Sequence, residues 1–125
     1  MRFILKIIFF SFLISLQRDT ISFTSANPFS FKDVISSLDT QQEHEVFGFL
    51  TVPDGANINN KVPLVIGVAG SKDWSDHHLE YIRMYQDMGI ATLELQSFAS
   101  RDISSTVGTQ VEVTTAMMIL DSYRA

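Results

Sequence analysis

Ala69-Gly70-Ser71-Lys72-Asp73-Trp74 holds the residue types that an anion-stabilising turn requires. A glycine lets a ligand come close to the main chain, and amides aimed off a strand end can hold negative charge. The turn follows the apolar run Pro63-Leu-Val-Ile-Gly-Val68 and leads into a helical pattern. That is where α/β sheets place their ligands. A plain strand-to-helix connection would use the same residues. Nucleotide chemistry does not fit, because Gly67-Val-Ala-Gly70 lacks the third glycine of a dinucleotide fingerprint. Gly70-Ser71-Lys72 is followed by Asp73, not by the Ser or Thr of a phosphate loop. Ser71 does not read as a nucleophile, since no Gly-x-Ser-x-Gly elbow surrounds it or occurs elsewhere in the chain.

Other candidates have structural alternatives. His77-His78 has metal-ligand chemistry, but adjacent helical residues point about 100° apart, which favours a solvated first turn of a helix. No metal and no cofactor are expected. Arg101 could bind a carboxylate, yet it reads rather as the residue that ties down a long loop. Trp74 and Phe98 could line a pocket near the strand ends or simply pack there.

These residues need elements to hold them. Glu45–Pro53, rich in β-branched and aromatic residues, predicts a first strand, and a turn cluster from Asp54 to Asn60 joins it to the next. Pro63–Val68 shows no alternation and predicts a central strand covered on both faces. A helix is expected over Asp76–Met88, with Leu79, Ile82, Tyr85 and Met88 on its inner face and Gly89 ending it. Ile90–Leu95 reads as a strand and Gln96–Val107 as a loop. Thr109-Gln-Val-Glu112 predicts a capping box at the start of a last helix. Val113, Ala116, Met117, Leu120 and Tyr123 would form its apolar stripe.

At 125 residues there is room for one small domain. An apolar share of 46% and a charged share of 18% are those of a globular chain. A net charge of −5 without a basic stripe argues against nucleic acid as a partner. With no cysteine, thiolate metal sites, disulfides and a cysteine nucleophile are excluded within this stretch. Arg2 and Lys6 precede the apolar run Ile7–Leu16, and Thr24-Ser25-Ala26 offers small residues for cleavage. Residues 1–26 therefore read as a signal peptide, with an uncleaved anchor as the competitor. Either places the domain outside the cytoplasm, in the periplasm or beyond. The membrane is expected as a partner only through this segment. Residues 27–42 read as a lead-in with a short helix around Phe31–Leu38, and 43–125 as the α/β domain.

The order of short fragments over Val46–Ala125 resembles the dienelactone hydrolase branch of the α/β-hydrolases. The matching pieces are Gly48–Pro53, Pro63–Ser71, Met88–Leu93, Ser97-Phe98 with Arg101, Gln110–Val113 and Asp121–Ala125. The resemblance implies a sheet that begins with antiparallel strands and continues parallel. It also implies that the Ser71 N–H, with Lys72 second, forms part of an oxyanion hole. Ala69 stands where the family usually has His, and Gln96 where Asp is common. The family's nucleophile, acid and His come after the helix that Ala125 interrupts, so His44, His77 and His78 precede the position of the triad base. What the resemblance implies, together with the export signal, is the N-terminal part of an exported serine-type hydrolase of esters or lactones, cut short. The alternative is a non-catalytic exported α/β protein that binds a partner.

Overall fold

A computed structural model describes residues 17–125 as one mixed sheet with three α-helices. The elements are β1 (Gln17–Ala26), α1 (Phe31–Ser36), β2 (Glu43–Val52), β3 (Leu64–Val68), α2 (Asp76–Asp87), β4 (Ala91–Leu95) and α3 (Thr115–Arg124). The sheet order is β1-β2-β4-β3. β1 and β4 both run antiparallel to β2, and β3 runs parallel to β4. The chain is thus an α/β protein whose sheet opens antiparallel and continues parallel. The apolar run Ile7–Leu16 lies outside the described residues. Among the described residues no helix is long and apolar enough to cross a membrane.

β1 occupies the last ten residues of the segment that reads as an export signal. Each pairs with β2, from Gln17 opposite Val52 to Ala26 opposite Glu43. Ile21 and Phe23 alternate with exposed Thr20, Ser22 and Thr24, the period-2 pattern of a strand with one covered face.

The strand expected at the centre of the sheet lies at its edge. β3 leaves Leu64 48% exposed, whereas every residue of β4 is buried. An unbroken apolar run, the reason for placing Pro63–Val68 at the centre, does not by itself fix a central position, and the fully buried β4 carries the polar Thr92 and Glu94. Both are buried with partners. Gln86 Nε2 donates to Thr92 Oγ1 at 2.9 Å, and Arg18 Nη2 donates to Glu94 Oε2 at 2.9 Å while its guanidinium lies 4.2 Å over the Phe49 ring. Burial of polar groups is tolerated when they are hydrogen-bonded.

The helices follow from local signals in two cases and from a displaced one in the third. Ser30 caps α1, exchanging bonds with Asp33 in a capping box. α2 buries Ile82, and Gly89 at φ 75° ends it as the sequence suggests; Met88, expected on the inner face, is 65% exposed at the helix C-cap. α3 starts later than Thr109. The Thr109 hydroxyl does meet the Glu112 carboxylate, at 2.8 Å, but this closes a turn in the preceding loop. The cap is Thr114, whose Oγ1 accepts from the Met117 N–H at 3.2 Å and donates to the Pro28 carbonyl at 3.0 Å. That second bond docks the helix start on the lead-in, a tertiary contact that local spacing does not encode. Val113, Ala116, Met117 and Leu120 are buried as expected, while Tyr123 is 86% exposed. α3 packs across β1, and α2 against β4.

Candidate functional site

The turn from Ala69 to Trp74 leaves the C-terminal end of β3 and enters α2. Asp73 N–H donates to the Gly70 carbonyl at 2.9 Å, closing a β-turn with Ser71 and Lys72 at its tip. Neither the Ser71 nor the Lys72 N–H is taken up by another group among the described residues. Both residues are exposed. The Ser71 carbonyl, by contrast, is held from the far side, accepting from Thr106 N–H at 2.8 Å and Ser105 Oγ at 3.2 Å. The turn is therefore fixed to the loop after β4 through its acceptor, and its donors stay free.

Those donors open onto a groove of about 460 Å³ lined by Ser71, Lys72, Asp73, Ser75 and His78 among others, with Val107 from the facing loop. Ser75 is the N-cap of α2, so the positive end of a helix faces the groove, which adds to its affinity for negative charge. Asp73 works against this. It sits in the left-handed region at φ 60°, and its Oδ1 is buried with no hydrogen-bond partner among the described residues.

Trp74 does not line this groove. Its Nε1–H donates to the Leu95 carbonyl at 2.9 Å, bridging the ends of the two parallel strands, and its ring lies over Gly67. A Cβ on Gly67 would stand 2.8 Å from Trp74 Cη2 and 2.9 Å from Ile82 Cδ1. Gly67 is thus the glycine that packing requires, while a Cβ on Gly70 would meet nothing within 4 Å. We expect Gly67→Ala to displace the ring and cost about 1–3 kcal/mol by overpacking. Gly70→Ala should stay within about 0.5 kcal/mol, as for surface changes away from special features. Urea titration followed by emission of the single tryptophan measures both. Phe98, paired with Trp74 in the sequence reading, is 1% exposed and belongs to the core.

The two histidines come together more closely than helical geometry alone suggests. Their ring centroids are 3.9 Å apart, and both Nδ1 atoms contact Ser75 Oγ, at 2.9 Å from His77 and 3.0 Å from His78. Among the described residues no group of three or more His, Asp or Glu side chains is placed to hold a metal ion.

Arg101 has the structural role favoured for it, tying down the loop through a buried carboxylate of this chain. Its Nη1 and Nη2 donate to the two oxygens of Asp121 at 2.8 and 3.1 Å. Nε donates to Asn27 Oδ1, Nη1 to the Ser97 carbonyl and Nη2 to the Ala26 carbonyl. Ser25 Oγ and Ser97 Oγ complete the shell of Asp121. Asp121 was missed from sequence, where it reads as one more polar residue in the last turns of α3. The signal that could have found it is its place four residues after Met117, on the same buried helical face.

Comparison with protein-family models, with curated proteins and with solved structures finds no match to this chain.

Proposed function

We propose that this chain is the N-terminal part of an exported serine-type hydrolase acting on carboxylic esters or lactones, with the Ser71 N–H as an oxyanion-hole donor and the Lys72 N–H beside it. The observation that carries the reading is the turn itself. It directly follows a parallel strand, leads into a helix N-terminus and presents two unbonded N–H groups to an open groove. Donors held in place before charge develops are the largest single source of stabilisation in acyl transfer. The fixed Ser71 carbonyl supplies that rigidity. The sheet, antiparallel then parallel, agrees with the resemblance in the sequence.

On this reading the nucleophile, acid and base come from outside these 125 residues. Lys72 is the side chain best placed to touch substrate, and Trp74 acts by bracing the turn. The test is hydrolysis of an activated ester by the product of the uninterrupted coding sequence, alongside labelling by a fluorophosphonate probe. Saturable turnover with one labelled serine is expected there, and neither from residues 1–125 alone. Turnover by residues 1–125, or none by the longer product, overturns the reading. A non-catalytic binding role is favoured by one feature, the exposed edge of β3 with Leu64 and Val68 uncovered.

A further inference from the structure

The hydrogen bonds around Ser75 leave His78 one protonation state. The Ser75 backbone N–H donates to His78 Nδ1 at 3.2 Å, so that nitrogen must carry a lone pair. The neutral ring then bears its proton on Nε2. The Ser75 hydroxyl also lies 3.0 Å from the same Nδ1 and 2.9 Å from Nδ1 of His77. With one proton to give, it can donate to His78 while accepting from His77. We infer that His77, Ser75 and His78 form a pH-sensitive clamp that holds the first turn of α2, next to the Ser71–Trp74 turn, only while His78 is neutral.

Protonating His78 converts Nδ1 from acceptor to donor and turns it against the Ser75 N–H. The lost bond is one of the few that satisfy the free amides at a helix start. A second charge on His77 would lie next to the first, at ring centroids 3.9 Å apart, at the end of the helix that already repels cations. Lys72 adds to that repulsion, whereas Asp73, Asp76 and Glu80 offset it. Val107, from the facing loop, brings no charge to the groove. The Trp74 ring, anchored to Leu95, stands edge-on to His78 at 5.9 Å and borders the clamp. The sign follows directly. The clamp is present while His78 Nδ1 is free to accept and is lost when a proton occupies it.

This inference concerns conformation and does not rest on the hydrolase reading. Hydrogen exchange of the amides of residues 75–78 tests it in the 125-residue chain. Corrected for intrinsic rates, exchange at pH 5.5 should be at least about tenfold faster than at pH 7.5. In His78→Asn the side-chain oxygen replaces the acceptor and does not titrate, so the acceleration should vanish. Equal acceleration in both proteins, or none in the wild type, overturns the clamp. A second measurement needs no variant. The imidazole nitrogen spectrum at pH 7.5 should show His78 as the Nε2–H tautomer, and an Nδ1–H tautomer overturns the clamp equally.

Discussion

Replacing Asp121 with Leu, or Arg101 with Met, should destabilise the protein by about 3–5 kcal/mol, the cost of leaving one member of a buried ion pair without the other. The Arg101 side chain is 5% exposed and that of Asp121 is 0% exposed. Arginine has five N–H donors, and all five find acceptors here: both oxygens of Asp121, Asn27 Oδ1, and the carbonyls of Ser97 and Ala26. Asp121 accepts in addition from Ser25 and Ser97. Four parts of the chain thus meet at one pair: the end of β1, the lead-in, the loop after β4, and α3. Total stability for a domain is about 5–15 kcal/mol, so either change consumes a large share of it. Arg101→Lys should recover little, because an ammonium has three donors and no planar fork. The double variant separates the pair's own worth from the cost of an orphaned charge. Its loss should be smaller than the sum of the two single losses, since neither charge remains. Urea unfolding of the four proteins measures this cycle. Single losses under about 1 kcal/mol would show the pair to be incidental.

Local chemistry was legible where a single element decides the outcome. The apolar run before Ser71, the glycine that ends α2 and the buried positions from Val113 to Leu120 are set by steric and periodic rules that act over a few residues. Legibility failed where a distant partner decides. Pro63–Val68 has the unbroken apolar run of a central strand, yet the strand buried along its whole length is β4, whose Thr92 and Glu94 are satisfied by Gln86 and Arg18. Thr109 and Glu112 carry a helix-start signature, yet the helix starts where Thr114 reaches Pro28 across the fold. The turn at Ser71 was visible as strand, glycine and helix. Its fixed carbonyl, the orphaned Asp73 oxygen and the paired histidines were not, because each depends on the approach of a loop or on the rotamer of a neighbour.

The largest effect is expected from removing β1. A chain that starts at Asn27 should fail to fold, while one that starts at Gln17 should keep a cooperative thermal transition. Thr24-Ser25-Ala26 has the small residues of a cleavage site, but the structure gives them another reason to be small. Ser25 and Ala26 are 2% and 4% exposed, packed where the Ser25 hydroxyl reaches Asp121 and the Ala26 carbonyl reaches Arg101. Cutting after Ala26 removes both contacts and takes Arg18 from buried Glu94. It also strips β2 of a partner along its whole length. Each buried polar group so orphaned costs about 1–3 kcal/mol, and three or four of them match the stability of an ordinary domain. If the protein is exported and trimmed, its mature N-terminus should therefore lie at or before Gln17. Intact mass of the secreted product reads the cut directly, and circular dichroism melting of the two shortened chains reads its cost. A mature protein beginning at Asn27 that melts cooperatively would mean that β1 is dispensable and that the small residues serve the peptidase after all.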